Sequence, residues 1–160
     1  MDYEKLFLLA EPYLKMNDFG VSHTRTVFEI AMKNFEIPIE TEEMIYCSII
    51  LHDIGGNSIK KQYEEGPKTA TLLLGKLDYD ERFIQEVCEI IRTHHNHPEH
   101  PSLDFKILYD SDKLAMFSPE EFDYYNSDPN FNWMKIIDSI YSKSAKELAK
   151  ELLKRRKTES

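Results

Sequence analysis

The sequence predicts an all-α fold, a single-domain bundle of helices. Apolar residues recur at spacings of three and four along nearly the whole chain, the period of a helix with one buried face. No segment alternates apolar and polar residues between hairpin turns, as a half-buried strand would. The 160 residues, 41% hydrophobic and 31% charged, suit one globular core over residues 1–160, since domain sizes peak near about 100–150 residues.

The first helix runs from about Tyr3 to Lys15, with Leu6, Phe7, Ala10 and Leu14 on one side, and Asn17-Asp18-Phe19-Gly20 breaks it. The second covers Ser22 to Phe35 with the stripe His23, Val27, Ile30, Ala31, Phe35, and stops before Pro38. Thr41 is the expected N-cap of a third helix reaching His52-Asp53. That helix is apolar nearly all round from Met44 to Leu51, which marks it as central, and Gly55-Gly56 ends it. A loop or short helix carries Lys60 and Lys61, then Gly66-Pro67 opens a helix through Leu77. Asp80 caps the next, which turns Phe83, Val87, Ile90 and Ile91 inward and ends at His94-His95. After a proline-bearing loop, Leu103 to Ala115 forms another. Ser118-Pro119-Glu120-Glu121 reads as a capping box opening a short helix. A final helix is expected from Asn132 to Arg156, with Trp133, Ile136, Ile137, Ile140, Leu148 and Leu152 buried. Its basic end, Lys154-Arg155-Arg156-Lys157, complements the helix dipole.

Twenty Lys and Arg against 29 Asp and Glu leave a net charge of −9, which argues against a sequence-independent nucleic-acid binder. It leaves a phosphorylated small molecule open as a substrate, because a bound cation reverses the local field. Cys47 and Cys88 lie in apolar runs and read as buried thiols in a reducing compartment. No apolar run reaches bilayer length, and Met1-Asp2-Tyr3-Glu4 does not open like a signal peptide. A cytoplasmic protein with no membrane partner is expected.

The histidines carry the chemistry. His94 continues the row Phe83, Val87, Ile90, and His95 the row Ile84, Cys88, Ile91, so both are expected to face the core. Asp112 continues the row Phe105, Leu108, and a carboxylate on a buried face is costly unless paired or bound to a metal. Each residue has a plainer reading as well. A histidine on an apolar face can be a hydrogen-bonded core residue, Asp112 can form an ion pair, and His97 and His100 read as loop residues. Several such groups on different helices, all aimed inward, suggest a shared cation.

The ordered set His23, Ile50-Leu51-His52-Asp53-Ile54-Gly55, Ile91-Arg92-Thr93-His94-His95 and Tyr109-Asp110-Ser111-Asp112-Lys113-Leu114 resembles the HD-domain superfamily of metal-dependent phosphohydrolases. The resemblance spans about residues 18 to 117, leaving 118–160 as a C-terminal helical extension on a helical bundle of the HD-domain type. It implies a metal set of His23, His52, Asp53 and Asp112, with Asp110 in support or as the fallback ligand. His94, His95 and Glu65 are the candidates for a second ion. Where binuclear relatives often carry a histidine just before the glycine opening the next helix, this chain has Tyr63-Glu64-Glu65-Gly66. One ion is expected and two are possible.

Two imidazoles and two carboxylates suit Mn, Fe, Co, Ni or Zn, with Mg as a further option. The implied reaction is hydrolysis of a phosphomonoester or phosphodiester of a small molecule, such as a nucleotide, by metal-activated water. Lys60, Lys61, Lys113 and Arg25 are the candidate phosphate-binding cations, and Glu65 and Asp110 the carboxylates available to assist. Two alternatives are a di-iron oxygenase on the same fold, which needs a full second ligand set, and a non-catalytic metal- or nucleotide-binding sensor module. The stretch from Phe117 to Trp133 offers Tyr124, Tyr125 and Phe131 either to stack on a base or to pack on the last helix.

Overall fold

The computed structural model describes residues 2–159; Met1 and Ser160 lie outside them. Among the described residues there are ten helices and no strand. They are α1 (Tyr3–Leu14), α2 (Gly20–Asn34), α3 (Glu42–Leu51), α4 (Ile59–Glu64), α5 (Gly66–Lys76), α6 (Glu81–Thr93), α7 (Leu103–Ala115), α8 (Pro119–Asn126), α9 (Trp133–Ser139) and α10 (Lys143–Glu159). No helix among them is long and apolar enough to cross a membrane.

The all-round apolar stretch does become the central helix. Every residue of α3 from Ile45 to Leu51 is buried, and α1, α2, α6 and α7 pack around it. Burial of each large aliphatic side chain contributes about 1.5–3 kcal/mol. The chain after α7 builds a separate apolar cluster from Phe117, Phe122, Trp133, Ile137, Ile140 and Leu153, seated on Leu114 and Met116 at the end of α7. Tyr125 and Phe131 join its rim, so these aromatics do pack toward the last helices.

Three local expectations are corrected. The Asn132–Arg156 helix is broken between α9 and α10, although its apolar spacing runs on. The cause is tertiary: the buried Asp110 carboxylate accepts the backbone N–H of Tyr141 (2.8 Å) and of Ser142 (3.0 Å), fixing an extended link there. Thr41 does not cap α3 through its side chain. The capping box at Ser118 does not form either, because Ser118 Oγ donates to Ala115 O at 2.7 Å and Glu121 is drawn elsewhere.

Asp110 is therefore a structural clamp rather than a metal ligand. His97 reinforces it from the α6–α7 loop, donating to Ser139 O (2.7 Å) and stacking on Tyr141 at 4.5 Å. Asp110→Ala leaves two amides without their acceptor, and its expected cost is about 2–4 kcal/mol of stability, read from chemical unfolding.

Candidate metal centre

Four elements deliver the chemistry-bearing side chains to one place. Gly20, at φ +57°, turns the chain from α1 into α2 in a conformation that suits glycine, and His23 follows on the first turn. At the end of α3 the chain tightens to i→i+3 bonds, His52 N–H to Ile49 O and Ile54 N–H to Leu51 O. Adjacent residues on a regular helix diverge by about 100°. The tightened turn instead brings Asp53 Oδ2 to 3.2 Å from His52 Nε2. Asn17 holds the turn by donating to Asp53 O at 3.0 Å. Asp112 comes from α7.

His23, His52, Asp53 and Asp112 each offer an atom within 4.8 Å of the others. His23 Nε2 lies 2.8 Å from Asp112 Oδ1 and 3.4 Å from Asp53 Oδ2, and His52 Nε2 is 3.3 Å from the same Asp112 oxygen. His94 joins from the end of α6, its Nε2 3.4 Å from Asp53 Oδ1.

The donor set fits a metal ion, and the opposite nitrogens show it. His52 Nδ1 is 2.6 Å from Ile49 O and His94 Nδ1 is 2.8 Å from Ile91 O. A carbonyl only accepts, so in both rings Nδ1 carries the proton and Nε2 is turned toward the carboxylates. His23 Nδ1 donates to the Glu121 carboxylate at 3.0 Å with the same result. His94 Nε2 is buried with no hydrogen-bond partner. Three imidazoles anchored through Nδ1 and converging through Nε2 on two carboxylates form the arrangement in which partners on the far nitrogen set ligand orientation.

Charge follows from this packing. Burial works to lower the His23 imidazole, but hydrogen bonds to Asp112 and Glu121 override it and raise it to about 10. Burial opposes the charge on His52 too, yet Asp53 and Asp112 hold it well above its ordinary value. Burial alone would raise both aspartates. Attraction to His52 brings Asp53 down, hydrogen bonds from His23 and His52 bring Asp112 down, and both end far below the usual carboxylate range. Without a metal, protons supply the positive charge that balances the two aspartates.

The other expected site residues separate. Asp53, His94 and His95 form a second trio within 4.8 Å. Glu65 does not join it: its side chain is 55% exposed and pairs with Lys68 at 3.7 Å. Asp110 is occupied at the α9–α10 link. Arg25 makes two hydrogen bonds to Glu4 and lies 4.2 Å over Phe7, away from the cluster. Lys60 and Lys61 are exposed on α4 and do not line the cavity above the cluster. Lys113 does, beside Phe19, Asn57, Met116 and Tyr125, in a cleft of about 240 Å³ whose floor is His23, Asp53 and Asp112.

Two residues at the centre were missed by sequence reasoning. Glu121 is 2% exposed and orients His23; its spacing of four from the cavity-lining Tyr125 was the available signal. Gln62 is buried between Asp53, Gly56 and His95, and a neutral amide in a short polar helix carries no such signal. Glu121→Gln keeps an acceptor for His23 but removes its charge. Its expected effect is about 10- to 100-fold weaker divalent-metal binding, measured by competition with a chromophoric chelator.

Comparisons with known proteins agree with this geometry. The HD domain family model matches residues 20–116, a span that contains His23, His52, Asp53, His94 and Asp112. A crystal structure of a predicted HD superfamily hydrolase from an uncultured Thermotogales bacterium superposes with a TM-score of 0.63. It is 22% identical, over 94% of this chain and 84% of that one, a likeness of fold. The curated proteins contain no match. With more than half of the chain covered and the paired His52-Asp53 at the heart of the cluster, this protein belongs to the HD domain family.

Proposed function

We propose that the protein is a metal-dependent phosphohydrolase acting on a phosphomonoester or phosphodiester of a small molecule, with nucleotides as the first class to test. The observation that carries this reading is the convergence of three imidazole Nε2 atoms and two carboxylates beneath a solvent-accessible cleft. In it, His23, His52, Asp53 and Asp112 hold a divalent ion. Such an ion supplies Lewis acidity toward a phosphoryl oxygen and lowers the pKa of water.

The chain's own residues do the rest. Glu121 keeps His23 presented to the centre, and the Ile49 carbonyl does the same for His52. Lys113 is the one lining residue with a permanent positive charge, and it meets the phosphate. Phe19 and Tyr125 wall the cleft against the leaving group, combining the two roles open to Tyr125. At about 240 Å³ the cleft falls near the lower end of ordinary ligand pockets, about 300 Å³, which suits a small ester better than a polymer.

The test is a phosphate-release screen over nucleotides and sugar phosphates, using protein stripped of metal and reloaded with Mn, Fe, Co, Ni, Zn or Mg. Release that depends on the ion is expected. Bound metal without turnover on any ester would favour the sensor module, and failure to bind any ion would remove the centre itself. On an active substrate, Lys113→Ala is expected to raise KM about 10- to 100-fold with little change in kcat, the worth of one charge-assisted hydrogen bond at about 1.5–3 kcal/mol.

A further inference from the structure

Beside the proposed ion lies what would be a second cation position. One ligand atom each of Asp53, His94 and His95 falls within 4.8 Å of the others, and His94 Nε2, 3.4 Å from Asp53 Oδ1, is buried without a hydrogen bond. Three donors at the edge of the cluster are enough to begin an ion site. We propose that Gln62 closes this position, its carboxamide standing where a second ion would, so that each chain holds a single ion. The proposal rests on the metal-centre reading above and goes beyond it, to the number of ions and the residue that sets it.

The hydrogen bonds of Gln62 account for each donor in turn. Its Nε2 lies 2.8 Å from the Gly56 carbonyl and 3.1 Å from Asp53 Oδ1. Because Gly56 O only accepts, the NH2 end of the amide is the end that faces it, and Asp53 Oδ1 takes the second N–H. The amide oxygen then faces His95, whose Nε2 must carry a proton to donate to it. Asp53 Oδ1 thus accepts an amide N–H, and His95 Nε2 has a proton in place of a lone pair. Of the nitrogens around the amide, His94 Nε2 is left without a hydrogen bond, and the carboxamide fills the space between it and His95 Nε2.

The plug is built into the backbone. Gly55 lies so near α4 that a Cβ there would fall 2.7 Å from Gln62 Cα, from Lys61 O and from Gly66 N. Only glycine permits that approach. Gln62 N–H is also bonded to Ser58 O at 3.0 Å, and Ser58 caps α4 through its side chain. These contacts fix the Gln62 backbone, and the amide itself is held by its hydrogen bonds to Gly56 O and Asp53 Oδ1. The arrangement also speaks against the di-iron alternative, which needs both positions.

The test is stoichiometry. Metal-stripped wild-type protein is titrated with Co(II), and bound cobalt is counted by elemental analysis and by d–d absorption. One ion per chain is expected. Gln62→His frees His95 and adds an imidazole, Gln62→Ala removes the plug, and each is expected to double the count to two. In Gln62→His loaded with Mn(II), electron paramagnetic resonance should show a spin-coupled pair that wild type lacks. Two ions in wild type, or one ion in a folded Gln62→His and Gln62→Ala, overturns the proposal. If either variant fails to fold, the other and the wild-type count decide it. A wild-type count of zero is a different failure, because it removes the metal centre on which the proposal rests.

Discussion

Asp53→Ala is expected to abolish metal retention and, with it, hydrolysis of any phosphate ester that the wild-type protein cleaves. The Asp53 side chain makes polar contacts with four residues at the centre. Its Oδ2 faces His23 at 3.4 Å and His52 at 3.2 Å, while its Oδ1 faces His94 at 3.4 Å and accepts from Gln62 at 3.1 Å. Removing one member of a buried charged set costs about 3–5 kcal/mol. Expressed as a metal dissociation constant, that is a loss of about two to three and a half orders of magnitude. The variant should still fold at neutral pH, because His23 keeps its contacts to Asp112 and Glu121 and His52 keeps its contact to Asp112. Circular dichroism checks the fold, chelator competition gives the affinity, and phosphate release gives the rate. Wild-type affinity and rate in a folded Asp53→Ala protein would show that the ion, or the chemistry, is elsewhere.

What the sequence could reveal of this centre follows a physical division. Helix existence was legible because it is a local property: the period of apolar residues in α6 and the unbroken run of α3 need no knowledge of what packs against them. The α9–α10 break was illegible for the opposite reason. Ile136, Ile137, Ile140, Leu148 and Leu152 keep a helical period straight through it, and the cause is a carboxylate some thirty residues upstream on α7. Glu121 was hidden by a competing local rule. Ser-Pro-Glu-Glu is an excellent capping box in isolation, but a buried imidazole in need of a counter-charge outweighs a surface cap. His94 and His95 show a finer limit. Both fit inward rows on paper, yet neighbours on a helix point about 100° apart, so His94 is buried and His95 is left more open. The cations illustrate the same point, since only tertiary structure distinguishes Lys113, on the cleft, from Arg25, engaged by Glu4.

Raising the pH from about 7 to about 9.5 is expected to destabilise the metal-free protein while tightening its grip on a divalent ion. The sign follows from which groups bind protons in the folded state. His23 is raised to about 10, so its stabilising contribution is fully present below the ordinary histidine value and is lost as the pH climbs through about 10. His52 shifts in the same direction. Asp53 and Asp112 are shifted downward, so their contribution is present above the ordinary aspartate value and is lost only in strong acid. Between neutral and alkaline pH the histidines therefore decide, and deprotonating them leaves two close carboxylates facing each other without a counter-charge. A divalent ion provides that charge and displaces the protons. Each proton released makes the apparent affinity about tenfold tighter per pH unit over the range in which His23 is still protonated. Titration calorimetry at neutral pH in two buffers of different ionisation enthalpy should register at least one proton released per ion. Thermal unfolding at the two pH values should show Tm falling for the stripped protein and holding for the loaded one. A binding heat independent of buffer would mean that the imidazoles are already neutral, and that the carboxylates are balanced by something other than His23 and His52.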